Sequence, residues 1–197
     1  MSFSLGLTGS IGMGKSTTAR MFVDEGCALW DADAAVHRLY AAGGAAVAPM
    51  SMAYPDAIED EAVSRNALKK IISNNPEALK VIESIVHPLV ATDRAAFRQS
   101  TTADIVVFDI PLLFETGGDA TMDAVACVSV PADEQKRRVM ERGTMSEAQF
   151  VQIRSKQMPN DEKCARSDFV IVTDTLDHAR AQVQDIVRQI RAGMSDA

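Results

Sequence analysis

Aromatic residues are scarce, at 5% of the 197 residues with a single tryptophan, so aliphatic side chains and ten methionines must fill most of any core. Positive charge is not in surplus either. The formal net charge of -7 argues against a broad nucleic-acid surface, because proteins that track phosphate backbones present a basic face. A local basic pocket for a small phosphorylated ligand stays open. No stretch reaches the roughly 18 apolar residues of a membrane span. The opening Met-Ser-Phe-Ser-Leu-Gly lacks the basic region and apolar run of a signal peptide. Cys27, Cys127 and Cys164 are odd in number, scattered, and contain no C-x-x-C pair, which excludes a disulfide framework and fits reduced thiols. Repeats are absent, and low complexity is confined to an Ala/Gly patch at 41–48. What remains is a globular composition, 47% hydrophobic and 24% charged, of a length that suits one domain. The expectation is a cytoplasmic protein, monomeric or a small homo-oligomer, with neither nucleic acid nor membrane as partner.

Five short apolar runs, 4–8, 27–30, 105–108, 124–130 and 169–173, read as buried parallel strands, since each is apolar on both faces and ends in polar or glycine residues. Helical patterns separate them. The clearest places Val183, Ile186, Val187 and Ile190 on one face near the C-terminus. The gap between the second and third runs far exceeds the dozen or so residues of a crossover and holds helical patterns at 34–40, 65–72 and 77–86, with another starting at Pro88. These features predict an α/β three-layer fold on a five-stranded parallel sheet. The core would comprise 1–33, 100–141 and 159–197, with a helical insertion at 34–99 and a polar helical lid at 142–158. In such sheets ligands bind beyond the carboxyl ends of the strands, where Thr8, Asp31 and Asp109 fall.

The segment Gly9-Ser-Ile-Gly-Met-Gly-Lys-Ser16 matches G-x-x-x-x-G-K-[ST] throughout. Glycines let the backbone curl so that successive N–H groups meet one anion, and a helix starting near Lys15 adds the positive end of its dipole. Gly9, Gly12, Met13, Gly14, Lys15, Ser16 and Thr17 would hold a nucleoside triphosphate. Lys15 would face the β- and γ-phosphates, and the Ser16 hydroxyl would face Mg²⁺. A strand before and an amphipathic helix after the motif separate it from a chance glycine-rich turn. A regulatory GTPase is disfavoured, since no N-K-x-D occurs and Asp109 does not begin D-x-x-G. A small-molecule kinase then needs an acid at the acceptor, a carboxylate at the metal and mobile cations.

Asp31 and Asp33, at i and i+2 after the second run, would project to one side of an extended segment toward an acceptor hydroxyl. Alternatively, one of them caps the following helix. Asp109, ending the third run, sits where a carboxylate holds Mg²⁺, or else forms a turn before Pro111. Arg138 and Arg142, four apart, would share a helix face and clamp the triphosphate, unless that face is solvated and paired with Glu134 and Glu141.

In this order the motifs resemble the dephospho-CoA kinase family, a branch of the nucleoside-monophosphate-kinase-like P-loop group. The resemblance is carried by the phosphate loop, Asp31-Ala-Asp33 with His37, and Ile85-Val-His-Pro-Leu89. It continues through Phe108-Asp-Ile-Pro-Leu-Leu-Phe-Glu115, Gln135 with Arg138 and Arg142, Gln157, and Ser167-Asp-Phe-Val-Ile171. It implies ATP and Mg²⁺ as cofactors and the 3′-hydroxyl of the dephospho-CoA ribose as acceptor. It further implies Asp33 as the acid that orients and deprotonates that hydroxyl, with Lys15, Arg138 and Arg142 stabilising the transfer. Ser16 and Asp109 would serve the metal. Asp31, Asp33, His37, Arg65, His87 and Leu112 would contact the acceptor, with the 34–99 excursion as its binding domain. His87, next to a proline, can equally be a packed junction residue. The chain departs from the family pattern at Ser64, where Asp is usual, and at Thr173-Asp174, where Asp-Asn is common. Another small-molecule kinase, such as a nucleoside monophosphate kinase, or a nucleotide-dependent binding switch are the competing readings.

Overall fold

The structure is a computed structural model that describes residues 2–195, so the predicted limits at 1 and 197 lie outside the described residues. In chain order it runs β1 (Phe3–Thr8), α1 (Lys15–Asp24) and β2 (Ala28–Asp31). Next come α2 (Ala32–Tyr40), α3 (Val47–Ala53), β3 (Ile58–Glu59), β4 (Ala62–Val63), α4 (Arg65–Asn74) and α5 (Ala78–Ser100). The chain then forms β5 (Ile105–Asp109), β6 (Ala124–Ser129), α6 (Ala132–Glu141), α7 (Glu147–Ser155), α8 (Asn160–Arg166), β7 (Phe169–Val172) and α9 (Leu176–Ser195). Two compact units result, Met1–Trp30 with Thr101–Ala197, and Asp31–Ser100.

All five predicted runs are strands of one sheet, ordered β2-β5-β1-β6-β7. The β1–β5, β1–β6 and β6–β7 ladders are parallel. Alternation divides the side chains between two covered faces. Leu5, Leu7, Ile105, Val107, Ala126, Val128 and Ile171 join Met21 and Phe22 of α1 and Val183, Ile186, Val187 and Ile190 of α9 in one core. The C-terminal stripe read from the sequence is therefore the buried face of α9. The opposite face takes Val125, against Leu113 and Phe114 of the segment after β5, and Cys127, whose Sγ lies 3.6 Å from that of Cys164 in α8. Both faces are covered over the central strands, which explains why β5 is apolar up to its terminal Asp109, while β1 sets Ser4 and Thr8, both buried, on the second face.

The second unit builds its own core from Met50, Ala57, Val63, Leu68, Ala78, Ile82 and Val86. It is less purely helical than the sequence indicated. An antiparallel hairpin pairs Ile58 with Val63 and Glu59 with Ala62, and its two turn residues, Asp60 and Glu61, both have positive φ. Pro88 does not begin a helix, as predicted, but lies inside the single helix α5. Its missing N–H removes one ladder bond. The helix continues because Ile82 and Val86 before the proline are buried and Val90 after it packs on the same core.

Candidate active site

β1 is the central strand, and its carboxyl end opens into the loop of residues 9–14. Gly12 and Gly14 hold φ near 80° and 89°, a left-handed backbone that side chains rarely adopt. Space forbids a side chain as well, since a Cβ on Gly12 would stand 2.5 Å from Val139 of α6, and one on Gly14 3.0 Å from Thr173 Oγ1. Gly14 is also the N-cap of α1, which starts at Lys15 as expected. The helix dipole thus points along the loop. Met13 is buried at 4% exposure, and its Sδ accepts a hydrogen bond from the Val130 N–H at 3.2 Å. Its side chain belongs to the core, leaving only its backbone for a ligand. Ser16 and Thr17 are exposed on the first turn of α1.

Register places Asp109, the carboxylate expected at the metal. Leu7 of β1 pairs with Asp109 of β5, so Asp109 ends its strand beside the loop. The Lys15 ammonium forms an ion pair with Asp109, whose side chain is only 4% exposed. Asp109 is thus no mere turn former. Downstream, the Thr8 hydroxyl donates to the Pro111 carbonyl at 3.2 Å, and fully buried Lys163 donates to the same carbonyl at 2.9 Å. Lys163 also pairs with Glu115 at 2.9 Å, and Glu115 accepts from the Met158 N–H at 2.8 Å. Burial pushes the Glu115 carboxyl up, but the Lys163 and Met158 hydrogen bonds outweigh it and hold the group below its ordinary value. Leu112 is exposed on this turn.

Arg138 and Arg142 line one cavity of about 230 Å³ together with Gly14, Thr17, Thr173 and Asp174. Their environments differ. Arg138 donates to Glu134 at 2.6 Å, to the Thr173 carbonyl at 2.6 Å and to the Thr173 hydroxyl at 3.2 Å. Arg142 caps the end of α6 and is exposed. The pairing expected for this face falls mainly on Arg137, which meets both Glu134 and Glu141. Thr173, where the family pattern has Asp, donates its hydroxyl to the Met13 carbonyl at 2.7 Å and so ties the strand end to the loop. The polar excursion at 142–158 is helical only over Glu147–Ser155, with Ser146 and Gln149 forming a capping box. Gly143, at positive φ, interrupts it after α6.

In the second unit, Asp31 accepts from the Ala34 N–H at 2.9 Å and is the N-cap of α2. This corrects the extended geometry expected for the acidic pair. A capping Asp31 starts the helix at Ala32, so Asp33 stands in its first turn, exposed, and the two carboxylates do not share an extended edge. His37 is exposed on α2, and His87 is exposed on α5. Arg65 opens α4, with its guanidinium 5.8 Å from the Tyr40 ring centre. Ser64 accepts from the Ala67 N–H at 3.2 Å and caps α4, a task that Asp performs equally well.

Sequence reasoning gave no role to Gln157, Asn160 or Gln135, yet all three grip the loop. Gln157 accepts from the Ile11 N–H at 3.2 Å, Asn160 accepts from the Ser10 N–H at 3.3 Å, and Gln135 donates to the Ile11 carbonyl at 2.7 Å. A second, larger cavity of about 840 Å³ lies beside these contacts, between Ser10, Met13 and Gln135 and the α7 residues Val151 and Arg154.

A glycine loop with its lysine at the end of a central parallel strand, and an acid on the adjoining strand, is the apparatus of a P-loop phosphotransferase. The family model for dephospho-CoA kinase matches residues 3–178. The chain belongs to the dephospho-CoA kinase family. It is 81% identical over 193 residues to the dephospho-CoA kinase of Ruegeria pomeroyi, covering 98% of each chain. It is 55% identical to that of a Jannaschia species, over 98% of this chain and 100% of the relative. Among solved structures, a Thermus thermophilus protein superposes with a TM-score of 0.86 at 30% identity, over 95% of this chain and 97% of its own. The dephospho-CoA kinase of Campylobacter jejuni has the same fold, with a TM-score of 0.71 at 24% identity, over 98% and 99% of the two chains.

Proposed function

We propose that this protein transfers the terminal phosphoryl group of ATP to the 3′-hydroxyl of the dephospho-CoA ribose, giving CoA and ADP in the last step of coenzyme A synthesis. The observation that carries this reading is a fully formed phosphate loop, with Lys15 on Asp109, in a chain so closely related to dephospho-CoA kinases.

Phosphoryl transfer leaves little covalent work to the protein, so positioning and charge stabilisation dominate. Lys15, held in place by Asp109, exchanges that contact for the β- and γ-phosphate oxygens when ATP enters. Arg142 is exposed and free to swing toward the phosphates. Arg138, fixed by Glu134 and Thr173, presents its charge from the cavity wall. Asp33 aligns the ribose hydroxyl and takes its proton late in the transfer. The unit Asp31–Ser100 binds the acceptor, with Asp31, His37, Arg65 and His87 as contacts. The segment 142–158 closes as a lid and excludes water that would otherwise hydrolyse ATP.

Ser16 and Asp109 supply one hydroxyl and one carboxylate, hard oxygen donors suited to Mg²⁺. No group of three or more His, Cys, Asp or Glu residues that could hold a metal occurs among the described residues. When bound, Mg²⁺ neutralises charge on the β- and γ-oxygens.

A steady-state assay with ATP and magnesium tests the acceptor by comparing dephospho-CoA with AMP, CMP and UMP. Turnover with dephospho-CoA is expected to exceed the others by orders of magnitude. Preference for a nucleoside monophosphate would make it another P-loop kinase, and slow GTP turnover indifferent to every acceptor would make it a switch.

A further inference from the structure

The phosphate loop is rich in glycine and has little intrinsic reason to hold one shape. Its first half is nonetheless fastened from outside. Ile11 is gripped on both sides, its N–H by Gln157 Oε1 and its carbonyl by Gln135 Nε2, so the two peptide planes that meet at its Cα are each held. The preceding N–H, of Ser10, is held by Asn160 Oδ1. These holders are not incidental surface groups. Gln135 is only 3% exposed, on the inward face of α6. Asn160 is oriented by its own amide, which donates to Ser129 Oγ at 3.0 Å. Gln157 stands between α7 and α8, at the end of the 142–158 segment, where the next residue, Met158, is tied to Glu115.

We propose that Gln157 and Gln135 are positioning residues for phosphoryl transfer, clamping the two peptide planes that flank Ile11 so that the loop is shaped for the triphosphate before ATP arrives. Neither side chain needs to touch the nucleotide. Their amides satisfy the two backbone groups of Ile11, which fixes the peptide planes before and after its Cα and so the path of the chain into Gly12. Without the clamp, ATP would have to order the loop as it binds, and that ordering would be deducted from its affinity. The amide is suited to the task because it supplies a neutral acceptor at Gln157 and a neutral donor at Gln135. A carboxylate in either place would set negative charge beside the phosphates.

This inference rests on the proposed use of ATP but not on the identity of the acceptor. Its test therefore measures ATP binding directly, by calorimetry with magnesium and no acceptor, alongside the two KM values. Gln157→Leu and Gln135→Leu keep side-chain size while removing the amide. Each is expected to weaken ATP binding by about five- to tenfold, the size of one net hydrogen bond, with the KM for dephospho-CoA within about twofold of the parent. The double variant should lose about as much as the worse single one, because once one of the two planes flanking Ile11 is released, rotation about the shared Cα leaves the other poorly held as well. Unchanged ATP affinity in both single variants would overturn the proposal, as would losses shared equally with the acceptor or strictly additive effects. Should Gln135→Leu fail to fold, Gln157→Leu decides alone. Its weakened ATP binding upholds the clamp, and parental affinity refutes it. A failure of the acceptor assay together with normal ATP binding would instead strike at the functional reading and leave the clamp standing.

Discussion

A lysine taken wholly out of water must find partners for its charge, and Lys163 finds Glu115 and the Pro111 carbonyl. These bonds pin the turn that follows Asp109, so the acidic end of the Asp-Ile-Pro-Leu-Leu-Phe-Glu run works at a distance from the chemistry. Glu115→Leu should leave that ammonium buried with a single acceptor and lower stability by about 3–5 kcal/mol, read by denaturant unfolding. Adding Lys163→Met should recover most of the loss. The Glu115 carboxyl lies below its ordinary value, so its contribution is fully present at neutral pH. It declines as pH falls below about 4.3 toward the lowered value in the folded protein. A different pair separates scaffold from chemistry. Asp31 spends a carboxylate oxygen on the Ala34 N–H, while Asp33 is exposed in the first turn. Asp33→Asn is expected to cut kcat by about 10²–10⁴-fold with both KM values nearly unchanged. Asp31→Ala should instead destabilise α2 by about 1 kcal/mol through the lost cap. Near-full kcat in Asp33→Asn would remove Asp33 from its role.

Elements were legible where the pattern was strong. The five apolar runs are strands because a sheet covered on both faces needs uninterrupted apolar sequence, and α9 follows its i, i+3, i+4, i+7 stripe. Legibility failed where packing overrode local preference. Pro88 reads as a helix start, yet burial before and after it carries α5 through. The hairpin β3–β4 has strands of two residues each and an Asp60-Glu61 turn, without the Asn-Gly or Asp-Gly signal that would announce it. Both turn residues sit at positive φ, 48° and 61°, which suits Asp tolerably and Glu poorly. Glu61→Gly should therefore stabilise the protein by about 0.5–1 kcal/mol, checked as an upward shift of the denaturant midpoint with unchanged slope.

At the scale of the molecule, the phosphate loop could be read because its motif is local, a single run of residues with one physical job. Its supports could not. Ser10 and Asn160 are separated by 150 positions, Ile11 and Gln157 by 146, and Met13 and Thr173 by 160. No periodicity or spacing rule connects residues so far apart, and Thr173 even looked like a departure from the family pattern. The cysteines make the same point, since Cys127 and Cys164 are remote in the chain yet touch across β6 and α8. The acceptor's identity was legible through the ordered series of motifs, a likeness that the family match supports.

The strand that feeds the loop lies between β5 and β6, and Gln135, Gln157, Asn160 and Thr173, which grip the loop from beyond α1, all belong to the later half of the sequence. During synthesis the nucleotide-binding motif therefore leaves the ribosome before the residues that hold it. The recognisable letters are spoken early, and they have no working grip until those later residues have emerged and folded back upon them.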